Sequence, residues 1–171
     1  MLEVCKRKGA PTERVMKMRW VLTYKSAQVD ELGRKVPKAR LVILGYQDPD
    51  IDDLERESPT LSTTSRTLIF MLAANQKWKL KSGDVKTAFM QGDEEQRLIY
   101  GEVPDDVRDM LGLRDDEIVR IKKAGYGLVN APWKWFKKVE ETLLGLGWKQ
   151  HPLDVCLFMK YKRDFLFLFR I

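Results

Sequence analysis

The chain has 171 residues, 44% hydrophobic and 33% charged, with a formal net charge of +6, the composition of a folded domain with a real core and a basic surface. No run approaches the ~18 apolar residues of a membrane helix, and the single histidine, His151, excludes a His-rich metal centre or a histidine relay. Two distant cysteines, Cys5 and Cys156, show no metal-ligand spacing and point to a reducing, intracellular setting, cytoplasm or nucleus, rather than a disulfide framework.

Residues 1–18 lack the apolar stretch of a signal peptide and are expected to be disordered or fragmentary. The domain is then expected over 19–171. Arg19 to Lys25 (Arg-Trp-Val-Leu-Thr-Tyr-Lys) is rich in β-formers and reads as a strand. Asp30 to Arg34 reads as a turn, with Gly33 free to take positive φ. Lys38 to Tyr46 returns as a second strand. The resulting hairpin carries Lys25, Arg34, Lys35, Lys38 and Arg40. Such cations either touch phosphates or keep an exposed sheet edge soluble.

Asp48 to Glu57 is an acidic loop without the glycine and spacing of a calcium-binding EF-hand. Thr63 or Thr64 can cap a helix to about Gln76, with Leu68, Ile69, Leu72 and Ala73 on its buried side. Trp78 to Ser82 alternates and reads as a strand. It leads into Gly83-Asp84-Val85-Lys86-Thr87-Ala88-Phe89, where one carboxylate stands at the expected strand end and an aromatic follows five residues on. An acid so placed is a metal ligand in a nucleotidyl-transfer site, or merely a turn former or helix cap.

Asp93, Glu94 and Glu95 read as solvated loop acids. Leu98 to Val103 is an expected strand, Pro104 to Met110 a short helix closed by Gly112. Asp115-Asp116-Glu117 reads as a solvated turn before a strand at Ile118–Ile121. Gly125-Tyr126-Gly127 then allows a close backbone approach, to a ligand or within an ordinary tight loop. Pro132 suits the first turn of a helix through Trp133, Phe136, Val139, Leu143 and Leu146, spaced by three and four, with Trp133, Trp135 and Phe136 mostly core. Gly145 and Gly147 end it. His151, beside Pro152, falls in a loop. A last hairpin joins Cys156–Tyr161 to Phe165–Ile171 through Lys162-Arg163-Asp164. The pattern is α+β, with an antiparallel sheet and helices packed on one face.

Taken in order, Arg19-Trp20-Val21, Lys38-Ala39-Arg40-Leu41-Val42, Asp84-Val85-Lys86-Thr87-Ala88-Phe89, Tyr126-Gly127-Leu128 with Ala131-Pro132 and Trp135-Phe136, and Asp154-Val155-Cys156-Leu157-Phe158 resemble the reverse transcriptase domain of copia-type (Ty1/copia) LTR retrotransposon Pol polyproteins. The resemblance implies a polymerase fingers-and-palm fold, template-directed addition of dNTPs to a primer, and two Mg²⁺ ions. It implies that Asp84 and the main-chain carbonyl of Val85 bind metal, and that Phe89 crowds the sugar 2′ position. It also implies that Lys38 and Arg40 hold the triphosphate, and that Tyr126 and Gly127 pack against nucleotide and template. The implied partners are an RNA/DNA template-primer and the rest of a Pol polyprotein, with no membrane.

The sequence departs from the family in two places. The Tyr-x-Asp-Asp turn that supplies its second catalytic pair should follow Phe165–Ile171, where this sequence stops. The palm is therefore expected to be incomplete and the polypeptide alone not to polymerise. Val129-Asn130 stands where the family usually has Lys-Gln, which puts polar template contacts in doubt. The alternative is a non-catalytic nucleic-acid-binding remnant of a decayed retroelement.

Overall fold

A computed structural model describes residues 2–162 and 165–170, with only the main chain given for Ser26, Ala27, Lys162 and 165–170. The expected turn at Arg163-Asp164 lies outside the described residues.

Among the described residues there are two sheets and three α-helices, so the α+β class holds, but the single expected sheet divides. The larger sheet has five strands in the order β1-β5-β4-β2-β3. They are β1 (Leu2–Lys6), β2 (Val15–Val29), β3 (Lys35–Ile43), β4 (Tyr100–Glu102) and β5 (Glu117–Ile121). Pairing is antiparallel except between β2 and β4, where Val15, Met16 and Lys17 run parallel to Tyr100, Gly101 and Glu102. The smaller sheet is β6 (Lys149–His151), β7 (Asp154–Lys162) and β8 (Phe165–Arg170), all antiparallel.

Residues 2–6, expected to be disordered, form an edge strand instead. Leu2 and Val4 fall opposite Ile121 and Val119, so a short apolar alternation finds a ladder already built by β5. β2 likewise starts at Val15, and Met16 and Met18 are core residues.

The β2–β3 hairpin is set by its turn. Asp30 accepts hydrogen bonds from the main-chain N–H of Leu32 and Arg34 (3.0 and 2.8 Å), and Gly33 takes φ +73°. In this register Trp20, Leu22 and Tyr24 face Leu41, Ala39 and Pro37, while Arg40 and Lys38 lie on the other side chain face with Val21 and Thr23. The Trp20 indole N–H donates to Asp106 at 2.7 Å, which ties the root of the hairpin to helix α2 (Asp105–Leu111).

The core gathers Met16, Ile43, Ile99, Val119, Ile121 and Leu128 with Val107 of α2 and Ala131 of α3 (Ala131–Gly145). Each of the Met, Ile, Val and Leu side chains among them contributes about 1.5–3 kcal/mol on burial. Pro132 sits in the first turn of α3 and Gly147, at φ +78°, follows its end. Gly112 closes α2 at φ +63°.

Helix α1 (Thr63–Asn75) is capped one residue earlier than expected, by Ser62, whose hydroxyl accepts from Ser65 N–H at 3.0 Å. Its expected buried side is only partly covered: Ala73 is buried, but Leu68 and Leu72 are half exposed. Asp154 fixes the helix start to the second sheet, accepting from Ser62 N–H at 3.0 Å and from Cys156 N–H at 3.1 Å. His151 lies in β6 rather than a loop, its Nδ1 accepting from Leu153 N–H.

Trp78–Ser82 is not a strand. Alternation needs a neighbouring ladder to become one, and none pairs with this segment among the described residues.

Candidate functional site

Where β3 ends, its backbone meets the turn after β5. The Ile43 N–H donates to the Tyr126 carbonyl at 2.8 Å. Gly127 stands at φ +97°, and a Cβ there would lie 1.9 Å from the Ile43 carbonyl oxygen; a Cβ on Gly45 would lie 2.1 Å from the Gly127 carbonyl oxygen. Only two glycines permit this crossing. The close approach expected of Gly125-Tyr126-Gly127 is thus made to the chain's own strand.

That crossing sets the Tyr126 ring beside the hairpin. The Arg40 guanidinium lies over it, 5.7 Å from the ring centroid, a cation–π distance. The Phe89 ring meets it edge-on, with centroids 5.9 Å apart at 79°. Phe89 belongs to a single 3-10 turn, Ala88–Gln91, entered through Thr87 in the left-handed region at φ +52°. Lys38 lies two residues from Arg40 and shares its face of β3. The structure therefore brings Arg40, Phe89 and Tyr126 into contact, with Gly127 behind the ring and Lys38 next along the strand.

Asp84 and Val85 sit apart from this packing. Both are exposed, in the irregular segment before the Phe89 turn, and the Asp84 carboxylate has no hydrogen bond or ion pair among the described residues. A pair of hard divalent ions needs several oxygen ligands held together. Asp84 with one main-chain carbonyl does not supply them, and among the described residues no cluster of three Asp, Glu, His or Cys could hold a metal ion. The residues described here do not make a two-ion centre.

Glu95, read as a solvated loop acid, and Asp48, of the acidic loop, behave differently. Asp48 and Glu95 are buried and converge on Arg97, which donates to Asp48 at 2.9 Å, Asp50 at 3.1 Å and Glu95 at 3.2 Å. Arg14 adds a second cation to Asp50 at 3.0 Å, and Lys134 of α3 donates to Glu95 at 2.8 Å. Burial pushes the Glu95 carboxyl up, but the hydrogen bonds and charges of Lys134 and Arg97 outweigh it and hold it at about 2. Hydrogen bonding from Arg14, then Arg97, likewise lowers Asp50. This network joins the loop after β3 to the approach to β4 and to α3, and the Asp48 N–H donates to the Gly45 carbonyl at 3.1 Å, which ties it to one side of the crossing. Asn130 is drawn into it: its amide donates to Glu95 at 3.3 Å and it is buried, so it does not face a template. Glu95 and Arg97 are two residues apart, but the other partners lie 35–49 residues apart and no local signal marked them; the one hint was Arg97 two places before the fully buried Ile99.

The reverse transcriptase (RNA-dependent DNA polymerase) family matches residues 7–169. The chain is 33% identical over 151 residues to the retrovirus-related Pol polyprotein from transposon RE2 of Arabidopsis thaliana, covering 87% of this chain and 10% of that protein. It is 34% identical over 149 residues to that of transposon TNT 1-94 of Nicotiana tabacum, covering 86% and 11%. With the transposon Ty1-LR3 Gag-Pol polyprotein of Saccharomyces cerevisiae the identity is 27% over 134 residues, covering 71% and 7%. The chain thus spans about a tenth of the length of these curated relatives. No solved structure matches it. With the family matched almost from end to end, and copia-type Pol polyproteins as its relatives, the chain belongs to the reverse transcriptase family of retrotransposon Pol polyproteins.

Proposed function

We propose that residues 19–171 form the fingers and part of the palm of an RNA-directed DNA polymerase, and that they hold the incoming dNTP against a template-primer. The Arg40–Tyr126–Phe89 contact carries this reading, since it sets a cation, a stacking surface and a sugar-sized aromatic within one nucleotide's reach. Arg40 and Lys38, on one face of β3, take the triphosphate by charge-assisted hydrogen bonds. Tyr126, held by the Gly127 crossing, packs against the nucleotide. Phe89 closes the space beside the sugar and disfavours a 2′ hydroxyl. The basic hairpin follows the phosphates of an A-like duplex.

In this reading Asp84 and the Val85 carbonyl contribute ligands to Mg²⁺, which in a complete centre would steady the triphosphate and the primer hydroxyl. Further carboxylates must join Asp84 for that, so polymerisation by this polypeptide alone is not expected. Binding is the direct test. dTTP and an RNA–DNA hybrid should each bind, the hybrid with a steep loss as salt rises. Arg40→Ala should weaken dTTP by about ten- to a hundredfold, one charge-assisted contact being worth roughly 1.5–3 kcal/mol. Phe89→Ala should narrow the preference for dTTP over UTP. Equal dTTP binding by wild type and Arg40→Ala would refute the assignment.

The second reading, a non-catalytic nucleic-acid-binding protein, draws on the lack of a metal-holding cluster among the described residues. Hybrid binding without any dTTP binding would favour it.

A further inference from the structure

Between the end of α1 and the Phe89 turn runs an exposed stretch, Lys77-Trp78-Lys79-Leu80-Lys81-Ser82-Gly83-Asp84-Val85-Lys86. It sets four lysines against one aspartate, hence +3 of the chain's +6. All four lysine side chains are exposed, and none makes a hydrogen bond or ion pair among the described residues. Other surface lysines find acids: Lys122 pairs with Glu3 at 2.9 Å and Lys138 with Asp93 at 2.6 Å. Trp78 places an aromatic among the four. It is 37% exposed, where tryptophan is usually well covered, and its indole N–H meets no acceptor among the described residues. The equally exposed Trp20, by contrast, donates its indole N–H to Asp106.

The root of the stretch is fixed. Lys77 takes φ +53°, and the N–H groups of Lys77 and Trp78 donate to the Ala74 and Ala73 carbonyls at 3.3 and 2.8 Å, closing α1. Trp78 is thus seated on the helix end, while residues 79–86 join no ladder among the described residues and keep their backbone free to follow a ligand. Unpaired cations along a chain beside an exposed ring suit a polyanion that also offers flat faces. A single nucleic-acid strand offers both. A duplex keeps its base faces stacked inward, and an anionic membrane is met by an amphipathic helix, which this stretch does not form.

We propose that residues 77–86 bind single-stranded nucleic acid, with the lysines along its phosphates and a base against the Trp78 ring. The site shares no residue with the Arg40–Phe89–Tyr126 contact and stands whether or not a dNTP binds there.

The test is fluorescence anisotropy of the full chain with a dye-labelled oligothymidylate of about 12 nucleotides, repeated across a salt series. Replacing Lys79, Lys81 and Lys86 together by glutamine should weaken binding at low salt at least tenfold and lower the slope of log affinity against log salt by about 2, roughly 0.7 for each phosphate contact. The same charge change at the exposed Lys6, Lys8 and Lys149 should leave the slope as it was. Should the first triple variant not fold, the three single variants serve, each lowering the slope by about 0.7. Trp78→Leu should weaken the oligonucleotide about tenfold and Trp78→Phe, which keeps a ring, far less. None of these variants should change dTTP binding. Equal losses from the two lysine triples, or unaltered affinity in Trp78→Leu, would overturn the proposal. So would capture of the chain by phosphatidylserine vesicles with no oligonucleotide binding, which would assign the stretch to a membrane. Failure of the wild type to bind dTTP would refute the nucleotide assignment and leave this site standing.

Discussion

Around Tyr126, backbone crosses backbone, rings touch, and a buried ion network is tied to one side of the crossing. Past the end of α1, Asp84 lies with an exposed side chain in a segment that has no ladder and no ion pair among the described residues. The groups assigned to nucleotide holding therefore derive their positions from the chain's own fold. The group assigned to metal binding does not, and would take its geometry from whatever packs beside Trp78–Thr87. Exposed Trp78, Leu80 and Val85 in that segment fit the same contrast.

The comparison can be broken most severely at Arg97. Arg97→Met would leave Asp48 buried without a cation and Glu95 with Lys134 alone, and should cost about 3–5 kcal/mol, read from the denaturant midpoint. A loss below about 1 kcal/mol, the worth of a surface pair, would mean that the network does not brace the site. Gly127→Ala forces a Cβ into the Ile43 carbonyl at positive φ and should cost about 3–4 kcal/mol, with loss of the Tyr126 ring contacts by NMR.

Acid should act on the same region. Glu95 is lowered from 4.5 to about 2 in the fold, so its stabilisation is fully present above about pH 5 and disappears as pH falls through 4 towards 2. Asp50 and Asp154, also lowered, act in the same sense. The loss from Glu95 is on the order of 3 kcal/mol. A denaturant midpoint unchanged between pH 6 and pH 3 would show the network idle. Asp154→Ala strands the N–H groups of Ser62 and Cys156 and should cost about 1–2 kcal/mol, with early fraying of α1 by hydrogen exchange. Asp84→Asn, at the other pole, should change stability by less than about 0.5 kcal/mol; a larger loss would show that this segment is held by contacts of its carboxylate after all.

How far these features were legible follows the range of the interactions. The three-and-four spacing from Trp133 to Leu146 and the glycines at 33, 112 and 147 announced α3 and the turns, because helix periodicity and positive φ are local properties. Trp78–Ser82 alternates as a strand does yet forms none, because a strand is completed by a partner that its own residues do not specify. Glu95 looked like a solvated acid and Asp48 like one member of an acidic loop, because the pairings of Asp48 with Arg97 and of Glu95 with Lys134 span 49 and 39 residues and exist only in three dimensions. Phe89 and Tyr126 were legible as unusual residues; that they touch each other was not. Gly127 was legible as a close approach, though not as one to β3.

The β2–β3 hairpin is clamped at its root by the Trp20–Asp106 hydrogen bond and by the glycine crossing after Ile43. From Trp20 to Val29 it runs onward for about 30 Å at strand rise, with Leu22, Tyr24 and Leu32 in solvent. It is a cantilever. A tilt of a few degrees at the root sweeps the tip through ångströms, while Arg40 near the fulcrum scarcely moves and Lys38 moves more. If Lys38 and Arg40 meet phosphates as proposed, such a beam would let them reach phosphates of differing position without unseating the Tyr126 ring over which Arg40 stands.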